Sequence, residues 1–242
     1  MLRLFQTRKQ FDFTRLLLEP TVFKHLLQII SNSEIPMGIQ LNLSFCNINK
    51  EIEEYLEYFL INSSHLFLRA TRSSESFRSL FGTDDKTQLK HLETSVLRFD
   101  EQSEISQILS KCPNLETLIM IDTAVPSIYS SPIPDALKSL PHLKHLNLSG
   151  TKYLTDEDWK TILASLETLE SLTLNSIETD FVFETSWLPN LKSFTARHSI
   201  LEWFSLFDCL ATSFLHKIDV KYSDVPQSLI ECIDNGNMVI EK

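Results

Sequence analysis

The sequence predicts an α/β solenoid of about eight to nine coils, with a curved parallel sheet inside and helices outside. Three observations carry that reading. The stretch LKHLNLSGT sets Leu143, Leu146 and Leu148 in an L-x-x-L-x-L frame closed by Thr151, and its alternation sends two leucines to one face of a short strand. The frame recurs with anchors at residues 41, 66, 92, 118, 146, 172, 194 and 218, spaced by 22 to 28 positions. Between anchors the apolar period lengthens to that of an amphipathic helix.

Taken in order, residues 1–37 read as an atypical capping coil, with Phe23, Leu26, Leu27 and Ile30 on one helical stripe. Strands follow at Leu41–Leu43 and Leu66–Leu68, separated by a helix carrying Ile52, Tyr55, Leu56 and Phe59. A degenerate coil at Leu89 and Leu92 leads to a helix with Ile105, Ile108, Leu109 and Cys112. The strongest copies are LETLIMIDT, LKHLNLSGT and LESLTLNSI. Before the last of these, TDEDWKTILASL opens with Thr155 as N-cap and Asp158 three residues on, and turns Trp159, Ile162, Leu163 and Leu166 inward. The coil between Leu172 and Phe194 is short, and FETSWLPN with Pro189 has room for little more than one helical turn. LEWFSLFDCL and VPQSLIECI supply the last helices, and residues 224–242 read as a C-terminal cap whose Met238–Ile240 adds a strand. No linker divides the chain, so residues 1–242 are expected to form one domain.

A period of 20 to 29 residues with this leucine spacing is the signature of a leucine-rich repeat. At LNLSGTKYLTDEDWKTILASLETLESLTL the chain resembles the ribonuclease-inhibitor-like superfamily, and within it the cysteine-containing repeats of F-box substrate receptors. Leu154 to Glu157 and Leu169 to Leu174 match that pattern. The family's Asn or Cys at the end of the strand is Cys46 here, and otherwise Thr71, Thr123, Thr151, Ser199 and Ser223, whose hydroxyls retain a hydrogen bond to the turn. The residues before Leu41 read as a cap and not as an F-box. The resemblance implies a noncatalytic protein-interaction module; the alternatives are a ubiquitin-ligase substrate adaptor lacking its own F-box, or a bacterial effector directed at a host protein.

Composition restricts the alternatives. The formal net charge of −10 argues against nonspecific binding to nucleic acid. No secretory or membrane-spanning apolar run is present in the sequence, so a cytoplasmic location is expected, the host cytosol for an effector. Cys46, Cys112, Cys209 and Cys232 form no CxxC pair and are expected to be buried reduced thiols. His65, His91 and His145 share one column with no further ligand, so no metal is expected, and neither is a cofactor. No nucleophile elbow, P-loop, HExxH or dinucleotide glycine motif occurs, and the reading is not an enzyme.

The frame also predicts which side chains face outward from the concave sheet. Candidate partner-binding residues are Phe67, Arg69, Ile119, Ile121, His145, Asn147, Asn175, Arg197, Lys217 and Lys221. Ile119 and Ile121, with Phe67 two coils away, place apolar groups where water is expected. Arg197, Lys217 and Lys221 outnumber Asp219 at the C-terminal end, which would attract an acidic segment of a partner. Ser44, Glu93, Ser149 and Asp219 are expected to stand exposed on the same face. The protein is expected to be monomeric when alone.

Overall fold

The computed structural model describes residues 10–14, 21, 24–25, 28, 37–48, 56, 59–69, 72–73, 88–95, 107–122, 133–152, 154–211, 213, 215–228 and 239–241. Among them, ten strands form a single parallel sheet. In sheet order these are β1 (Gln10–Asp12), β2 (Ile39–Asn42), β4 (Ser63–Leu68), β6 (His91–Ser95), β7 (Thr117–Ile121), β8 (His145–Asn147), β9 (Ser171–Thr173), β10 (Ser193–Thr195), β11 (Lys217–Asp219) and β12 (Val239–Glu241). The short β3 (Asn47–Ile48) and β5 (Arg72–Ser73) pair separately beside it. Spatial order follows chain order, as stacked coils require.

The anchors lie in register. Leu41, Leu66, Leu92, Leu118, Leu146, Leu172, Phe194 and Ile218 are successive Cα partners, extended by Phe11 at one end and Ile240 at the other. The eight leucine-frame anchors are all buried. The strand at Phe11 was not expected; it lies 30 residues before Leu41, outside the spacing of the other coils.

Among the described residues, complete helices fill three of the connections between the sheet strands. Helix α1 (Ile133–Lys138) packs beside α2 (Asp156–Ser165), and α3 (Trp203–Ala211) follows β10. At the start of α2 the capping box is complete: Asp158 N–H donates to Thr155 Oγ1 at 3.2 Å, and Thr155 N–H donates to Asp158 Oδ2 at 2.9 Å. Trp159, Ile162, Leu163 and Leu166 are buried, as their spacing predicts. Between β9 and β10 turns replace a helix, one closed by Trp187 N–H to Glu184 O at 3.0 Å and another by Leu191 N–H to Leu188 O at 3.1 Å. The space a helix would occupy is taken by Phe181, Phe183 and Trp187, with Phe181 and Phe183 centroids 4.4 Å apart. Aromatic volume thus substitutes for helix where the coil is shortest.

Three columns run across the coils besides the leucines. Four positions after the anchor, Phe45, Asp122, Gly150, Ser176, His198 and Tyr222 all have φ between 54° and 68°. Only glycine takes that conformation without steric cost, and a Cβ on Gly150 would collide with the Asp122 carboxylate of the preceding coil. One position further on, the side chain bonds back to the preceding coil. Ser199 Oγ donates to Leu174 O at 2.6 Å, Ser223 Oγ to Ala196 O at 2.5 Å, and Cys46 Sγ to Phe13 O at 3.0 Å. Ser199 Oγ also accepts from Ile177 N–H, and Ser223 Oγ from Ser199 N–H. Ser199, Ser223 and Cys46 therefore perform the turn-closing role expected of them, whereas the Thr151 hydroxyl makes no such bond, and Thr71 and Thr123 lie outside the described residues.

Two positions before the anchor, the third column alternates in charge: Lys90, Glu116, Lys144, Glu170 and Lys192. Lys90 and Lys144 reach the two Glu116 oxygens at 2.9 and 3.2 Å, and Lys192 reaches Glu170 at 2.7 Å. Hydrogen bonds from Lys90 and Lys144 hold the Glu116 carboxyl below its ordinary range, and Lys192 does the same for Glu170.

Of the cysteines, Cys46, Cys112 and Cys209 are buried free thiols, and burial pushes Cys209 up to about 11. Cys232 lies outside the described residues.

Candidate functional site

On the open face of the sheet neighbouring coils decide how deep each side chain lies, and Ser44, Glu93, Ser149 and Asp219, expected to be exposed, are buried. Ile119 and Ile121 project from β7 and are half-buried. Phe67 on β4 is also half-buried, its ring centroid 4.9 Å from that of His91. Between them in register lies Glu93, partner of Phe67 on one side and Ile119 on the other.

Glu93 is buried, contrary to the exposed position expected for it, because Arg69 closes over its carboxylate in an ion pair. With its charge neutralised from outside, Glu93 lies in register between Phe67 and Ile119, so the apolar side chains of β4 and β7 stand on either side of a covered charge. Arg69 itself stays half-exposed at the margin.

Beside these side chains stand the histidines. His65 and His91 stack with centroids 5.4 Å apart, and Ser64 Oγ bonds His65 Nδ1 at 2.9 Å. His91 is pushed down to about 4, first by burial and then by the positive charges His65 and His145 would carry. Its Nε2 is 4.0 Å from Glu93 Oε2, a carboxylate already engaged by Arg69. Burial, with Lys90 nearby, also lowers His65. Among the described residues no group of three or more His, Cys, Asp or Glu side chains is placed to hold a metal ion.

These shifts give a pH prediction. The unfolded His91 takes up a proton near pH 6.5 and the folded one only near 4, so its contribution to stability is complete above 6.5 and is lost as pH falls toward 4. Between pH 7.5 and pH 5 the folded state is expected to lose about 1–2 kcal/mol through this group. Urea denaturation at the two pH values checks it, and a His91→Gln protein with the same pH dependence as wild type would contradict it.

The remaining candidate residues are distributed between structure and surface. Asn147 Oδ1 accepts from Ser149 N–H at 2.9 Å, closing the end of β8. Asn175 Oδ1 accepts from Arg197 N–H at 2.8 Å, joining two coils. His145 and Lys217 are exposed, and Lys221 is half-buried. Asp219, expected at the surface, is buried beneath Arg197, whose Nε donates to Asp219 Oδ2 at 2.9 Å. That guanidinium holds the Asp219 carboxyl below the usual range, and Arg197 belongs to the pair before it belongs to a basic flank.

Sequence reasoning missed both Arg–carboxylate lids. Each joins a residue three positions after one anchor to a residue one position after the next, so the pairing is visible only once coils are stacked.

One strand per coil in a continuous parallel sheet, helices on its far side and a column of turn-closing hydroxyls define a leucine-rich-repeat solenoid. No family model and no curated protein matches the chain. Among solved structures it is similar to a chain of the Toll–Spatzle complex of Drosophila, with a TM-score of 0.56 and 16% sequence identity over 87% of this chain. The match covers 30% of that longer chain, so the likeness is one of fold. No helix among the described residues is long and apolar enough to cross a membrane.

Proposed function

We propose that the chain is a noncatalytic scaffold that binds a protein partner on the open face of its sheet, with Phe67, Ile119 and Ile121 at the centre. The carrying observation is that the apolar side chains of β4 and β7 stand on either side of Glu93, whose charge Arg69 covers, on a face whose other positions are mostly small and polar. Half-exposed apolar groups inside a polar surround are the usual composition of an interface core. Lys217 on β11 and Lys221 just after it stand toward the C-terminal end of the sheet, with β8, β9 and β10 between them and Ile119 and Ile121, and suit a partner with an acidic segment. The whole chain acts as one unit, with residues 1–37 and 224–242 as caps. The edge strands Gln10–Asp12 and Val239–Glu241, which lie in those segments, support this. Free buried cysteines suit the reducing cytoplasm.

An affinity pull-down from cell extract supplies the partner, and its identity separates two uses of the scaffold. Ubiquitin-ligase subunits point to a substrate adaptor, whereas proteins of a host cell point to an effector. With the partner in hand, calorimetry on Ile121→Ala is expected to show a loss of about 1–3 kcal/mol in binding, and Lys221→Glu to slow association in a salt-dependent way. Wild-type affinity in a folded Ile121→Ala protein would remove the open face from the interface.

A further inference from the structure

A second surface lies past the C-terminal ends of β8 to β10, away from Phe67, Ile119 and Ile121. A groove of about 590 Å³ opens there, with Leu154, Trp159, Ile177 and Ile200 among its lining residues and Glu178 and Asp180 on its rim. Asp180 is shared with an adjoining hollow of about 300 Å³ that adds Asp156, Glu157 and Val182. Ile200 is 58% exposed and Val182 63% exposed, so these two apolar side chains meet water directly, while Trp159 and Ile177 are buried beneath.

The four carboxylates Asp156, Glu157, Glu178 and Asp180 are exposed, and none forms an ion pair with a described residue. Asp156 and Glu157 sit in the first turn of α2, where a helix favours negative charge. Glu178 and Asp180 belong to no helix, and the fold gives them no such role. Lys152 and Lys160 are also at this surface, which leaves it net negative. Beneath it, Thr151 is 6% exposed and its hydroxyl has no hydrogen-bond partner, whereas Ser199 and Ser223 in the same column each donate to the preceding coil. A buried hydroxyl left unpaired beside a groove is a group that an occupant's backbone would satisfy.

We propose that this groove binds a basic peptide segment, one large aliphatic side chain lying against Ile177 and Ile200 with lysine or arginine on both sides facing the carboxylates. Apolar lining and unpaired negative rim select that chemistry together: an acidic peptide would meet like charge, and a purely polar cation would leave Ile200 and Val182 in water. The site is separate from the open face, so either proposal survives failure of the other.

The test is fluorescence anisotropy of the full chain with a fluorescein-labelled nonapeptide that has a central leucine between two Lys-Arg pairs. Saturable binding is expected, weakened about tenfold or more in Glu178→Lys/Asp180→Lys and about fivefold in Ile200→Ser, and unaffected by Ile121→Ala. Replacing the peptide's leucine by serine is expected to weaken it as Ile200→Ser does. Absence of saturable binding would overturn the proposal. Undiminished affinity in the charge-reversed variant, or in Ile200→Ser, would overturn it too, the latter by reducing the interaction to diffuse attraction toward an acidic protein.

Discussion

Replacing Leu146 or Leu148 with aspartate is expected to abolish the cooperative melting transition. Both side chains are buried, Leu146 on β8, which is held to β7 and β9 along the anchor register, and Leu148 directly after it, its N–H donating to Thr173 O at 3.0 Å. A carboxylate introduced there has no partner, and burying it costs several kcal/mol, roughly the whole stability of a typical domain. Coils cannot compensate singly, because each buries its apolar face against the next. Far-ultraviolet circular dichroism through a thermal ramp checks this. A melting curve like the wild type's in either variant would mean that the strand faces the other way.

Arg197→Met is expected to lower stability by about 1–3 kcal/mol although Arg197 is itself 44% exposed in its side chain. The loss arises from Asp219, only 1% exposed, which would keep its burial and lose the donor that compensates it. Asp219→Asn in the same background is expected to recover most of the deficit, since the amide removes the stranded charge. The pH dependence has a defined sign. The folded carboxyl is held below its ordinary value, so the stability it contributes is present above that value and disappears as the solution is acidified through the folded one. In Arg197→Met this dependence should shrink. Urea midpoints for the two variants and the wild type decide the matter, and equal midpoints would assign the pair no net worth.

The sheet was legible because one leucine per coil fixes both strand position and face, and a side-chain period of two leaves no alternative once that face is buried. Every anchor from Leu41 to Ile218 lies where the frame puts it. Phe11 escaped notice because its coil is longer and because Phe11 and Phe13, both buried, stand where the strong copies carry leucine or methionine. The candidate site was legible in part only. Whether Glu93 is a surface charge or a covered one depends on Arg69 reaching across from the coil before, a contact between residues 24 apart in sequence. The acidic groove had no linear signature, since its residues come from the turns of three successive coils and are brought together by stacking alone.

The alternating column Lys90, Glu116, Lys144, Glu170, Lys192 has a bearing on how such a chain changes length over generations. Excising residues 117–144 would remove one whole coil cleanly at the level of leucines, yet it would set Glu116 against Glu170. Duplicating a single coil would likewise put two like charges in sequence. Excising residues 117–170 removes a pair of coils and leaves Glu116 facing Lys192, with the alternation intact. Leucine spacing sets a unit of one coil, but the charged edge sets a unit of two, so recombination within this stretch is parity-constrained: even steps preserve the edge and odd steps leave a mismatch at the seam.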